Sequence, residues 1–370
     1  MKLSSGWKKF WTSIILFLVI FPLIIGTISY FQIRQEDTLI RVADYTMKEM
    51  DFSFGTWGKG IMMAGLIDAY NITKDQKYLA FVKYWTDQSI FTQTKDGVFS
   101  HGETTVGDSS AIGISVLYFY KITNDIFYLD GAKRNMEYLL NKPPKTAEGG
   151  ISHRMSNLEL WIDTLYMVSP FLAELGIITS NNSLIDKAIE QVFIHEKYLR
   201  DENTHLYSHI WTWNGVNDDP NLWSRGIGWM TSTIVDLLDI IPKSHPNYTD
   251  LVKLLQNIIP AISSRQDPSG LWHTIINDTS TPLETSCTEL FAYSIALAVN
   301  KSWIEDNGNK SVAIKAFNAV LNKVNDVGIV RGVSGGTGYN SYNAPIYTRA
   351  ISWGQGLFMK TYKLFKILGW

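Results

Sequence analysis

Residues 161–176 read WIDTLYMVSPFLAELG, an apolar stretch of about four helical turns that carries Asp163 near its start. Apolar residues occupy nearly every position, which is typical of a buried helix rather than of a helix that faces solvent on one side. Five other stretches share this character and follow a turn that contains Gly or Trp. The six stretches begin near Trp57, Val106, Trp161, Arg225, Thr285 and Ser352.

More polar segments with a one-sided apolar pattern alternate with these buried stretches. They lie near residues 37–50, 75–90, 126–141, 182–198, 247–264 and 310–325. We therefore predict an all-α domain over residues 33–370, an (α/α)6 barrel of six inner and six outer helices. An open solenoid of helix pairs would give similar local patterns and is the alternative. Strands are expected only in short pieces such as 97–100 and 270–273.

The composition excludes general disorder and gives no reason to expect nucleic acid as a partner. Hydrophobic residues make up 45% of the 370 positions and charged residues 18%, so the chain can build a large core. The net charge of −2 lacks the basic excess that nucleic-acid binding requires. The 13 Trp and 18 Tyr suit either sugar rings or a large helical core. Cys287 is the one cysteine, so we predict a buried, inert thiol and no intrachain disulfide.

The N-terminal segment, residues 1–32, is predicted to insert into a membrane. Residues 10–31 read FWTSIILFLVIFPLIIGTISYF, which is long enough to cross about 30 Å of hydrocarbon as a helix. Three lysines precede this stretch and favour a cytoplasmic N-terminus, with the rest of the chain outside the cytosol. We predict an uncleaved anchor, with a cleaved signal peptide as the alternative. Either outcome exports the domain.

Asp108 and Asp163 are the candidate catalytic residues. Each stands near the start of a predicted inner helix, where the helix dipole stabilises an anion, so helix capping is the alternative role for either residue. Asp163 also lies within the apolar run Leu160–Met167, where a carboxylate is costly unless it is paired or used in catalysis. Burial there is expected to raise its pKa, as a general acid near neutral pH requires.

A second polar and aromatic cluster contains His205, His209, Trp211, Trp213, Trp223, Arg225 and Trp229. Arg225 opens an inner helix, and its guanidinium is predicted to lie between Trp223 and Trp229. There it could bind a carboxylate while the rings stack on sugars. The alternative is that Arg225 neutralises Asp163 inside the barrel. His209 is a candidate for proton transfer or hydrogen bonding.

In such a barrel, the loops that enter the inner helices gather at one end and form a funnel. Two further loops are expected to border this funnel. His153 lies about ten residues before Asp163, on the loop that enters the same helix. Residues 332–338, GVSGGTG, are predicted to form a flexible funnel loop rather than a nucleotide site, since no β-α unit flanks them. The sequence contains no H-E-x-x-H metal motif.

Three motifs, in this order and spacing, resemble those of a known enzyme group. They are Trp161–Met167 (WIDTLYM), Trp223–Trp229 (WSRGIGW), and Leu283–Cys287 (LETSC) leading into Phe291–Tyr293 (FAY). The chain resembles the unsaturated glucuronyl and rhamnogalacturonyl hydrolases of glycoside hydrolase families 88 and 105, and family 105 more closely. The resemblance runs from about Phe54 to the C-terminus and implies the (α/α)6 barrel.

The resemblance also implies a substrate and a reaction. The substrate is an oligosaccharide with a 4,5-unsaturated uronic acid at its non-reducing end, the product of a polysaccharide lyase. The reaction is hydration of the vinyl ether, unlike acetal hydrolysis by paired carboxylates. An Asp protonates C4, its conjugate base activates the water that adds at C5, and the hemiketal opens to release the neighbouring sugar. No metal or organic cofactor is expected.

Residue by residue, the resemblance matches the family's catalytic Asp to Asp163 and its second Asp to Asp108. It makes His209 and Arg225 candidates for contacts with the uronate and the water, and Trp229 a stacking platform. The predicted substrate-binding residues are completed by Trp223, His153 and Trp57.

Departures from the family's pattern at Ile227, Cys287 and Lys59 leave the preferred sugar open. A sugar epimerase with the same barrel and paired His residues is one alternative function. A membrane-tethered, non-catalytic glycan-binding protein is another. The sequence does not determine the linkage or the oligomeric state.

Overall fold

The computed structural model describes residues 37–50, 57–99, 105–216, 218–338, 342 and 345–370. The predicted membrane segment at residues 10–31 lies outside the described residues. Within them lie twelve α-helices, and outer and inner helices alternate along the chain. The helices are α1 (37–49), α2 (Trp57–Thr73), α3 (Gln76–Phe91), α4 (Ser110–Thr123), α5 (Ile126–Asn141), α6 (Ile162–Thr179), α7 (Asn182–Leu199), α8 (Ser224–Ile240), α9 (Tyr248–Ser263), α10 (Thr285–Asn300), α11 (Asn309–Leu321) and α12 (Ser352–Leu368).

The even-numbered helices form a closed inner ring. Each packs against the next, and α12 returns to pack against α2. Glycine permits this closure, because a β-carbon at Gly356 of α12 would lie 2.5 Å from the carbonyl oxygen of Ile61 in α2. An ion pair of 2.6 Å between Lys363 and Asp68 joins the same two helices. The predicted barrel is confirmed, and the open solenoid is wrong.

Three connections from an inner to an outer helix have the same type of turn. The inner helix ends at a residue in the left-handed region, as at Asn124 (φ 55°) and Ser180 (φ 53°). The next residue caps the outer helix, and the side chains of Asp125 and Asn181 accept hydrogen bonds from backbone N–H groups two residues later. The third connection, before α3, uses Asp75 in the same way. Local sequence therefore fixes these hairpins.

Short strands lie in the loops that enter the inner helices. Three antiparallel pairs form, β1 (Glu159–Trp161) with β2 (Ile210–Thr212), β3 (Trp272–His273) with β4 (Leu283–Glu284), and β5 (Val333–Ser334) with β6 (Ile346–Tyr347). The strand predicted near 270–273 is confirmed, whereas residues 97–99 form none. Strands β1 and β4 lead directly into α6 and α10, so the pairs stiffen the funnel end of the barrel.

Charged residues line a cavity of about 380 Å³ at the opposite end, where the inner helices finish. Lys360 of α12 reaches across the barrel to Asp236 of α8, with an N–O distance of 2.6 Å. Lys121 of α4 pairs at 2.6 Å with Glu174 of α6. These pairs connect the inner helices at the end away from Asp163.

Of the described helices, α6 is the one long and apolar enough to cross a membrane. It is an inner helix of the barrel, and 67% of its most apolar window is buried against other parts of the protein. Its composition is therefore explained by its place in the core.

Candidate active site

The starts of α4, α6 and α8 carry three candidate side chains to one end of the barrel. Asp108 lies in the short 3-10 turn before α4, and Asp163 and Arg225 are each the second residue of their helix. The turn packs directly on α6, since a β-carbon at Gly107 would lie 3.2 Å from the Cα of Thr164. The N-cap residues of α4 and α6 are Ser109 and Trp161, and neither makes a capping hydrogen bond through its side chain.

Asp163 is paired with His209. Its Oδ2 lies 3.0 Å from Nε2 of His209, whose side chain is fully buried. Burial alone would raise the pKa of Asp163, but the hydrogen bond and charge of His209, with the charge of Arg225, bring that pKa below its usual value. The expectation of a raised pKa is therefore wrong. A partner 46 positions away in the sequence offsets the effect of burial.

His209 connects Asp163 to a second pair of polar groups. Its Nδ1 lies 2.8 Å from the hydroxyl of Tyr342, which in turn donates to Oδ2 of Asp219 at 2.6 Å. The indole of Trp161 contacts the imidazole nearly edge-on, with ring centroids 5.2 Å apart. A continuous line of four polar side chains therefore runs from α6 into the loops of the funnel.

His153 supports the same site from the loop before β1. Its ring stacks on Trp161 with centroids 4.3 Å apart, and its Nδ1 lies 2.8 Å from the hydroxyl of Thr164. Burial lowers the pKa of His153 to about 3, although the carboxylate of Asp163 opposes that shift, so the ring is neutral. The structure thus brings two histidines, His153 and His209, against one indole, an arrangement that the sequence did not indicate.

Arg225 holds the loop of residues 332–338 against the funnel. Its Nη1 donates to the hydroxyl of Ser334 at 2.5 Å, and its Nη2 donates to the carbonyl of Gly335 at 2.8 Å. The carboxylate of Glu284 accepts the backbone N–H of Ser334 at 2.8 Å from the other side. The loop predicted to be flexible is therefore fastened to α8 and to the start of α10.

The guanidinium of Arg225 lies between two indoles, but not the predicted pair. Its centre is 4.5 Å from the ring of Trp223 and 5.5 Å from that of Trp353, so Trp353 takes the place expected for Trp229. The charge of Arg225 also acts on Asp163, in agreement with the neutralising role considered above. Its Nε is buried and has no hydrogen-bond partner among the described residues.

Aromatic rings form the floor of the funnel. Trp57, at the start of α2, stacks on Trp353 with centroids 4.6 Å apart and meets Trp229 edge-on at 6.2 Å. Tyr166 packs on the other side of Trp229 at 4.5 Å. Trp229 is fully buried, so it supports the floor, whereas Trp57 is partly exposed and can meet a sugar ring directly.

Three members of the predicted aromatic and histidine cluster do not join the site. His205 is exposed and lies 2.8 Å from Arg200 through its Nδ1. Trp211 packs against Tyr198 of the outer helix α7. Trp213 is 63% exposed in the loop that follows β2. The structure therefore separates this cluster and keeps only part of it in the funnel.

The sequence did not identify Tyr342, Asp219 or Trp353 as members of the site. A signal existed for Trp353, because Trp57-Gly58-Lys59-Gly60 and Trp353-Gly354-Gln355-Gly356 repeat the pattern W-G-x-G at the starts of α2 and α12. Tyr342 and Asp219 lie in loops and reach the site through tertiary contacts alone.

Cys287 is buried as predicted, and burial raises the pKa of its thiol well above the usual value. In the part of the chain that the structure describes, no group of three or more His, Cys, Asp or Glu side chains is arranged to hold a metal ion.

Comparison with known proteins identifies relatives of this chain. Residues 32–363 match the family described as Glycosyl Hydrolase Family 88. The chain is 30% identical to the unsaturated rhamnogalacturonyl hydrolase YesR of Bacillus subtilis, over 88% of this chain and 94% of that protein. It is 22% identical to an unsaturated 3S-rhamnoglycuronyl hydrolase of an Alteromonas species, over 75% and 70% of the two chains. A crystal structure of a possible member of family GH105 from Salmonella enterica superposes with a TM-score of 0.82 and 25% identity, covering 91% of this chain and 94% of that chain.

Proposed function

Because this chain belongs to glycosyl hydrolase family 88, we propose that it removes a 4,5-unsaturated uronic acid from the non-reducing end of oligosaccharides made by polysaccharide lyases. A substrate of the pectin or rhamnogalacturonan type is favoured, since the 30% identical relative is named for unsaturated rhamnogalacturonyl substrates. The enzyme acts by hydration of the vinyl ether double bond.

The observation that carries this proposal is the pair formed by Asp163 and His209 in a pocket of aromatic rings. Hydration of a vinyl ether needs one group that gives a proton to carbon and then takes a proton from water. A carboxylate that shares a hydrogen bond of 3.0 Å with an imidazole can do both, because the imidazole supplies or stores the proton. The indoles around the pair exclude water that would otherwise compete for the proton.

The proposed steps are balanced. A proton reaches Asp163 from His209 and passes to C4, which leaves positive charge at C5 shared with the ring oxygen. A water molecule adds its oxygen to C5 and gives its proton to Asp163, so the substrate has gained one water and the pair has regained one proton. The resulting hemiketal opens, and the bond to the neighbouring sugar breaks as the glycosidic oxygen is protonated.

Two charged neighbours complete the proposed site. Asp108 is buried and accepts a hydrogen bond from the hydroxyl of Thr105, which fixes its carboxylate next to the first turn of α6. We assign it to positioning the ring and stabilising the positive charge at C5. Arg225 has its terminal nitrogens on the funnel loop, and its charge attracts the substrate's carboxylate. Its buried Nε has no hydrogen-bond partner among the described residues.

Isotope labelling tests the reaction. The protein is incubated with unsaturated digalacturonide in deuterium oxide and, separately, in ¹⁸O-water. We expect deuterium at C4 and ¹⁸O at C5 of the released uronate. Labelling at the anomeric carbon of the cleaved bond, without deuterium at C4, would show ordinary acetal hydrolysis and contradict the proposal. Absence of cleavage with both galacturonate- and glucuronate-derived ends would contradict it as well.

We also propose that the enzyme works outside the cytosol behind a membrane segment at residues 10–31. The support is the length and apolarity of this segment and the three lysines that precede it. Expression of the full chain should give a protein that stays with membranes after alkaline extraction, or one that is secreted and shortened. A full-length protein found in the soluble cytosolic fraction would contradict both forms of the proposal.

A further inference from the structure

The hydrogen bonds behind His209 have a defined direction. Asp219 is fully buried, and its Oδ1 accepts from the backbone N–H and the side-chain amide of Asn221, at 3.1 and 2.7 Å. Its Oδ2 lies 2.6 Å from the hydroxyl of Tyr342, a separation typical of O–H donation to an ionised carboxylate. Burial and the charge of Asp219 both raise the pKa of Tyr342, so the phenol keeps its proton and gives it to Asp219.

This direction determines which nitrogen of His209 carries hydrogen. A phenol has one hydrogen, and that of Tyr342 is committed to Asp219. The phenol oxygen can therefore only accept from Nδ1 of His209, which lies 2.8 Å away. In the neutral imidazole only one nitrogen is protonated, so Nε2 then presents a lone pair toward Asp163.

The contact between Nε2 and Asp163 consequently needs a proton of its own. At 3.0 Å, a lone pair facing an ionised carboxylate would be repulsive, so a hydrogen must lie between the two atoms. It resides either on Asp163, as a carboxylic acid, or on Nε2 of a cationic His209. The pair therefore holds one proton in both forms, which is the number that protonation of C4 requires.

We propose that Tyr342 and Asp219 are positioning residues that hold His209 as the Nδ1–H tautomer, so that Asp163 and His209 together retain one transferable proton. The catalytic role of that proton rests on the function proposed above, whereas the tautomer is a property of the protein without substrate. Without the hydrogen bonds that Tyr342 makes with His209 and Asp219, a neutral His209 could adopt the Nε2–H tautomer and stabilise an ionised Asp163. The pair would then lose the proton more easily.

Two other titratable groups act on the pair and stay in place in every variant. They are His153 on the loop before β1 and Arg225 on α8. His153 is neutral, with a pKa of about 3, and does not titrate near neutral pH. Substitutions at positions 342 and 219 leave these two groups in place. Tyr342→Phe also leaves the charge of the site unchanged, so a shift in titration that it shares with Asp219→Asn reports on the tautomer rather than on lost charge.

The first measurement is the pH dependence of kcat/KM for wild type, Tyr342→Phe and Asp219→Asn. Activity ends at high pH when the pair loses its shared proton. We therefore expect the alkaline limb of the pH profile to move to lower pH by about one unit in both variants, which is a tenfold change in proton affinity. Tyr347→Phe, a phenol of strand β6, is the matched control and should keep the wild-type limb. A lower kcat with an unmoved alkaline limb in both variants would reduce Tyr342 and Asp219 to structural roles and overturn the proposal.

The second measurement needs no substrate. ¹⁵N shifts of labelled histidine distinguish the two tautomers, and assignment uses His209→Gln. We expect the neutral ring to carry hydrogen on Nδ1 in wild type and on Nε2 in Tyr342→Phe. A neutral Nε2–H ring in wild type would overturn the proposal even if neither variant folds. If the proposed hydrolase activity is absent, this spectrum still decides the tautomer, so the two failures are distinguishable.

Discussion

Oδ2 of Asp163 lies 3.0 Å from Nε2 of His209, across the space between α6 and the loop that enters β2. The contact offsets the burial of Asp163 and leaves its pKa below the usual value rather than above it. A carboxylate with a low pKa is a poor acid alone, but it can pass on a proton that its partner holds. The pair, and not Asp163 by itself, is therefore the unit of acid–base chemistry.

Replacement of His209 by Gln tests whether the imidazole carries a proton. The amide can still donate to Asp163 but cannot be protonated, so we expect kcat to fall about 100-fold with KM changed less than about threefold. Steady-state kinetics with an unsaturated disaccharide measures both. His245→Gln, which changes a histidine that lies 3.0 Å from Asp186 outside the site, is the control and should match wild type. Wild-type kcat in His209→Gln would remove His209 from the proton path.

His153 should make the fold sensitive to acid. Its pKa is lowered to about 3 by burial, while that of an unfolded histidine is near 6.5. Between these values only the unfolded chain binds the proton, so the free energy of unfolding decreases as the pH falls from about 6.5 toward 3. His153→Gln should reduce this loss by about 3 kcal/mol between pH 6.5 and 4, as measured by urea unfolding. His205→Asn is exposed and should leave the slope unchanged; equal slopes in all three proteins would contradict the prediction.

Arg225 should govern substrate affinity through the funnel loop. Lysine at this position loses the two-pronged contact with Ser334 and Gly335 and the stacking between indoles. We expect KM to rise about tenfold or more and hydrogen exchange at residues 332–338 to accelerate. Arg331→Lys, which changes an exposed arginine near the same loop, should change neither quantity. Unaltered exchange in Arg225→Lys would mean that the loop is held by other contacts.

Gly356 should be essential for closing the ring. A methyl group there would meet the carbonyl oxygen of Ile61 at 2.5 Å, and this backbone atom cannot move away cheaply. We expect Gly356→Ala to reduce the free energy of unfolding by about 2 kcal/mol or more. Gly336→Ala, where no atom lies within 4 Å of the added carbon, is the control for chemical denaturation. Equal stability of the two variants would contradict close packing of α2 and α12.

The helices could be predicted from sequence because their signals are local. The stretch 161–176 is apolar on all faces, and each of the five others like it became an inner helix with a start within a few residues of the prediction. Of the six short strands in the described residues, only β3 overlaps a piece expected from the sequence, because strands of two or three residues have too little periodicity to detect.

Asp163 was found because a carboxylate in an apolar run is costly, and Arg225 because it opens an inner helix between tryptophans. Their partners could not be found in this way. Tyr342 lies 133 positions from His209, and Asp219 lies 123 positions from Tyr342. The direction of the Asp163 pKa depended on such a partner, so burial read from sequence gave the wrong sign.

The most direct test of the account compares wild type and Asp163→Asn on an unsaturated digalacturonide, followed by the absorbance of the C4–C5 double bond. Asparagine preserves the shape and can still bond to His209, so we expect the variant to fold and to bind substrate. Its rate of absorbance loss should fall at least about 1,000-fold. Loss of absorbance at the wild-type rate in Asp163→Asn, with its melting temperature unchanged, would contradict the assignment of Asp163 as the residue that protonates C4.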